Sequence, residues 1–177
     1  MSQESSKHFR ILAVAPSARG FGFAVMEGQR TILECGGRLA RGNDKNAQSL
    51  AKLDKLLDFY RPAILVLQDV EAKGSRRAPR IRTLNRQIKG AAEKRKIGVK
   101  LISAKQLRSL LLGDPRGTKH EMAEMIVTQF PNELASRLPP KRRAWDNEDG
   151  RMDLFEAVGL AVAFQMRASR GIQWSKN

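Results

Sequence analysis

"RILAVAPSARGFGFAVMEG", residues 10–28, is the stretch that decides the fold. Residues 10–15 are a short apolar run, the mark of a strand buried on both faces. Pro16, Ser17 and Gly20 are turn formers, and "FGFAVMEG" then resumes a strand-like pattern. Gly20 and Gly22 flank Phe21, and glycines so placed mark hairpin geometry or a close backbone approach. The other reading is a turn that lets a nucleic-acid backbone come near. The first strand ends on Ala15, a side chain with no chemistry of its own.

Working outward, "RTILECGGRLA" gives a third strand, joined to the second at Gly28-Gln29. A helical pattern opens at Asp44, with Leu50, Leu53, Leu56, Leu57 and Tyr60 on one face, and Arg61-Pro62 ends it. "AILVLQDV", residues 63–70, is apolar up to Gln68 and reads as a buried parallel strand. A helix around 80–95, the strand "VKLIS" and the helix "AKQLRSLLL" capped by Ser103 come next. Asp114-Pro115 breaks the pattern, and Thr118-x-x-Glu121 is a capping box opening a helix to Phe130. Pro139-Pro140 is a stop, and a last helix starting near Gly150 carries "DLFEAVGLAVAF". The order β-β-β-α-β-α-β-α-α-α predicts an α/β domain with a five-stranded mixed sheet and helices on both faces.

The 177 residues carry a net charge of +15 and are 41% hydrophobic, so one folded domain with a polyanionic partner is expected. We place that domain at 10–168, with flexible tails at 1–9 and 169–177. No apolar run approaches the roughly 18–20 residues needed to cross a membrane, and "MSQESSKH" lacks the apolar centre of a secretory signal. Cys35 is the single cysteine, which excludes an internal disulfide and fits a reducing, cytoplasmic setting.

Four stretches in this order resemble RuvC-type Holliday-junction resolvases of the ribonuclease-H-like superfamily. They are "ILAVAPSARGFGFAVME", "PAILVLQDVEAKGSRR", "GTKHEMAEMIV" and "RMDLFEAVGLAVAF", and together the resemblance spans roughly residues 10–166. It implies a nucleic-acid-binding protein directed at branched DNA, a magnesium cofactor and a homodimer. In such proteins four carboxylates hold two magnesium ions about 4 Å apart, which activate water and stabilise the leaving oxygen of a phosphodiester.

Carried over by position, the first-strand aspartate corresponds to Ala15 and the fourth-strand glutamate to Gln68. The last-helix pair corresponds to Asp153 and Glu156. Ala15 offers no ligand and Gln68 only a neutral carbonyl oxygen. The resemblance therefore implies a resolvase scaffold with an impaired two-metal site. The remaining candidates for catalytic carboxylates are Asp153, Glu156 and Asp69, with Asp153, Glu156 and Asp149 for a residual metal ion. Asp69 and Glu71 share a parity opposite to Gln68, so Asp69 turns away from the site unless the strand bulges. Asp153 and Glu156 sit at i, i+3 on one helix face, where first-turn acids also arise simply from the helix dipole.

The densest basic stretch follows Gln68. Lys73, Arg76, Arg77, Arg80, Arg82, Arg86 and Lys89 are broken by Gly74, Ser75 and Pro79. "PPKRRAW" adds Lys141, Arg142 and Arg143, with Trp145 as either a stacking residue or a packing anchor. These cations are the expected phosphate contacts. Two other classes remain open: an active metal-dependent endonuclease with a rearranged carboxylate set, and a basic module for structural RNA or an acidic protein.

Overall fold

The computed structural model describes residues 9–171, so most of the two expected tails lies outside the described residues. Three strands come first: β1 (Arg10–Ser17), β2 (Gly20–Glu27) and β3 (Thr31–Leu39). Then follow α1 (Lys45–Tyr60), β4 (Ile64–Gln68), α2 (Pro79–Lys94) and β5 (Gly98–Ile102). The chain closes with α3 (Ala104–Leu112), α4 (Lys119–Gln129), α5 (Pro131–Leu134), a 3-10 turn (Ala135–Arg137) and α6 (Met152–Ser169). The sheet order is β3-β2-β1-β4-β5. β1, β2 and β3 form an antiparallel meander, while β4 and β5 run parallel to β1.

Strand alternation assigns the two faces of the sheet. Leu12, Val14, Leu65 and Leu67 pack with Leu53, Leu57, Leu84 and Ile88 of α1 and α2. Ile11, Ala13, Ala15, Ala24 and Val66 face the other way, against α6, α3 and α4. The centre of that face carries the small residues Ala13, Ala15, Gly22 and Ala24, where α6 lies close upon it. Gly22 pairs with Ala15, and a methyl group on Gly22 would sit 2.0 Å from the Asp153 carbonyl oxygen. Gly159, on the opposite side of α6, brings Leu107, Leu111 and Ile126 against the helix. α6 is consequently buried nearly all round, from Met152 to Phe164, as expected of a helix apolar on every side.

The turn chemistry follows the sequence reading. Ser103 and Thr118 both form complete capping boxes, with Gln106 and Glu121 as the reciprocal partners. The short helix at Pro131, with proline in its first turn, and the 3-10 turn after it are the elements the periodicity did not reveal. β1 and β4 are parallel and adjacent, so their C-terminal ends, Ser17 and Gln68, open on the same edge of the sheet. The N-terminus of α6 arrives at that edge.

Candidate functional site

Ala15 and Gln68 both face the α6 side, and Asp153 and Glu156 descend towards them from the first turns of α6. The two acids are 6% and 5% exposed, so their charges need partners. The Ser17 hydroxyl donates to Asp153 Oδ2 at 2.6 Å, and Arg19 Nη2 lies 3.4 Å from Oδ1. Arg77 Nη2 donates to both Gln68 Oε1 (2.6 Å) and Glu156 Oε1 (3.0 Å). Lys119 Nζ is 3.6 Å from Glu156 Oε2 and donates to Glu148 Oε1 at 2.9 Å. The Gln68 backbone carbonyl accepts from the buried Asn85 amide at 3.1 Å, which fixes the end of β4.

These residues do not fit a two-metal centre. Ala15 has no ligating atom, the Gln68 oxygen is taken by Arg77, and each acid is already paired with a tethered cation. Among the described residues no three histidine, cysteine or acidic side chains are grouped closely enough to hold a metal ion. Gln68 pairs with Ile102 in unbroken register, with no bulge to rotate Asp69 into its place. Asp69 instead accepts the Glu71 backbone amide at 3.1 Å, at the rim of the groove. Asp149 is bound by Arg151 at 2.7 Å, and that contact holds its carboxyl down to about 2. Glu71 pairs with Arg82 and Arg86.

Asp153 is the electrostatically costly member. Burial pushes its carboxyl above the usual aspartate range, while the Ser17 hydroxyl and Arg19 pull it down. A carboxyl with a raised folded pKa binds its proton more tightly in the folded chain. Its contribution to stability therefore falls as pH rises from about 4 through the raised value. Asp153→Asn keeps an acceptor for Ser17 and removes the buried charge. The variant is expected to gain on the wild type in urea midpoint as pH rises from 4.5 to 7. A gap that shrinks with pH would overturn this account of the site.

An open groove of about 1240 Å3 runs from the β4–α2 connection to the α3–α4 connection. Seven lysines or arginines line it against two carboxylates, Asp69 and Glu156. Lys73, Arg76 and Arg77 reach it from the basic stretch; Lys105, Arg108, Arg116 and Lys119 come from the far wall. Lys73, Arg76 and Lys105 are exposed and make no hydrogen bond or ion pair among the described residues. A smaller cavity of about 370 Å3 shares Arg108 and Lys119 with it and adds Lys141 and Arg142. Trp145 is 78% exposed, with the Arg143 guanidinium 5.8 Å from its ring, so it anchors no packing.

The rest of the basic stretch is occupied elsewhere. Arg80 ties the β1–β2 turn to α1 through the Ser17 carbonyl and Asn46. Arg82 closes the loop on the carbonyls of Ser75 and Arg77, and Arg86 pairs with Glu71. Sequence reasoning missed Arg19 and Lys119. Lys119 does carry a local signal: a lysine in the first turn of a helix opposes the helix dipole and is favoured there by an acidic partner.

The sequence matches no protein-family model and no curated protein. Solved structures do match its shape. The RuvC structure from Thermus thermophilus is 15% identical, with a TM-score of 0.66 over 92% of this chain and 97% of that one. RuvC from the same organism in complex with a Holliday junction substrate gives 16% identity and a TM-score of 0.65, over 93% and 97%. The yeast mitochondrial Holliday junction resolvase gives 14% and 0.59, over 92% of this chain and 80% of the other. With the strand order and the helical cover on both faces, these likenesses show that the chain has a RuvC-like, ribonuclease-H-like fold.

Proposed function

We propose that this chain binds structured nucleic acid, branched DNA foremost, in the basic groove, on a resolvase scaffold whose two-metal nuclease site has been lost. The groove carries the reading: seven cations line the edge of the sheet where the fold presents its site. A similar fold holds a Holliday junction in the Thermus complex, which supports branched DNA as the ligand. Ala15 and the cations already paired with Gln68, Asp153 and Glu156 support the loss of nuclease chemistry. A water next to a guanidinium keeps its high pKa, whereas a metal-bound water is acidic enough to attack a phosphodiester.

The test is a binding titration of a four-way DNA junction, a linear duplex and a structured RNA at two salt concentrations. Six or more phosphate contacts weaken binding by about a thousandfold or more between roughly 50 and 200 mM salt. The junction is expected to bind best and to show that fall. In magnesium it is expected to stay intact. Salt-insensitive binding would point to an interaction module for proteins, and junction cleavage abolished by Glu156→Ala would restore the endonuclease reading.

A further inference from the structure

The contacts of Glu156 distinguish the bottom of the groove from its walls. One tethered cation sits on each oxygen of that carboxylate, Arg77 on Oε1 and Lys119 beside Oε2. Both side chains line the groove, and both remain partly exposed, at 26% and 30%. Arg77 uses only Nη2 on protein. Its Nη1 and Nε make no hydrogen bond among the described residues, so their N–H donors are left for a ligand. Its position is fixed by two side chains that are each 5% exposed, Gln68 and Glu156.

We infer that Arg77 and Lys119 form a metal-independent receptor for one phosphodiester group of the bound nucleic acid, at the position where a two-metal enzyme would cut. This rests on the binding function proposed above and deepens it. With Nη2 engaged on Gln68 and Glu156, Nη1 and Nε each offer a charge-assisted N–H donor to a phosphate oxygen, and an ammonium adds a point charge beside them. Gln68 has a defined role here. A glutamate in its place would add a second buried charge on Arg77 and draw it into the protein, whereas the neutral amide orients the guanidinium and leaves most of its charge for the phosphate. No bond is broken in this complex, because neither cation supplies an activated water. Glu156 and Gln68 act as positioning residues.

Affinity for a four-way DNA junction would be measured in EDTA and in millimolar magnesium, for wild type, Lys119→Gln and Arg77→Ala. Wild-type affinity is expected to be the same or slightly higher in EDTA. Each variant is expected to lose about eightfold at about 0.1 M salt and to flatten the salt slope by about one contact. Binding that requires magnesium would overturn the inference, as would variants that bind like wild type. Arg77→Ala also strands a buried carboxylate, so Lys119→Gln and the magnesium comparison decide the matter if that variant fails to fold. A wild type that binds no junction in either condition is a different result, and it sinks the proposed function itself.

Discussion

Alanine in place of Gly22 is expected to remove much of the folding stability of this domain. The added methyl would lie 2.0 Å from the Asp153 carbonyl oxygen, 2.2 Å from its carbon and 2.7 Å from the Leu154 nitrogen. All three are backbone atoms of the first turn of α6, so no rotamer change relieves the clash. The helix would have to lift from the sheet, pulling the Asp153 carboxylate off the Ser17 hydroxyl and loosening Phe155 and Val158 from the core. Overpacking of a core commonly costs about 1–3 kcal/mol, and a clash of methyl on backbone belongs at or above the upper end. Against a total of roughly 5–15 kcal/mol that is a severe loss. Urea unfolding reads it directly. A loss below about 1 kcal/mol would mean that α6 shifts freely on the sheet.

That close approach explains part of what the sequence could and could not convey. Gly22 reads as a packing glycine from its place in a strand, but its partner is a helix 131 positions further on, which no local pattern identifies. The strands and most helices were legible because their signals are local: an apolar run for β4, leucine spacing for α1, capping boxes for α3 and α4. The pairing of cations with the acids was not, because Arg19, Arg77 and Lys119 come from a turn, a loop and a helix start and meet the acids only in the folded chain.

The basic stretch after β4 shows the same limit from the other side. As sequence it is one run of charge. As structure it divides, because a loop with no regular hydrogen bonding leaves carbonyls that need donors. Arg82 supplies them at Ser75 and Arg77, and Arg80 turns inward to the Ser17 and Ala18 carbonyls at the β1–β2 turn. Lys73 and Arg76 have no such obligation and stay in the groove. Charge counting alone treats the four as equivalent, whereas their hydrogen bonds separate residues that hold the loop from residues that can hold a ligand.

The separation makes the strongest binding prediction. Replacing Lys73, Arg76 and Lys105 together by alanine removes three exposed cations from the two walls of the groove and breaks no hydrogen bond or ion pair among the described residues. Each phosphate contact releases about 0.9 of a counterion, so at about 0.1 M salt it is worth about eightfold in affinity. The triple variant is expected to bind a four-way junction on the order of several hundredfold more weakly, with a salt slope shallower by about 2.7 and an unchanged melting temperature. Arg82→Ala should behave in the opposite way. It frees the Ser75 and Arg77 carbonyls and leaves Glu71 to Arg86 alone, so thermal stability falls, while the salt slope keeps nearly its wild-type value. If the triple variant bound like wild type, the nucleic acid would have to lie elsewhere, with the Lys141–Arg143 loop as the next surface to neutralise. If both variants lost affinity equally and neither lost stability, the distinction between inward and outward arginines would be wrong.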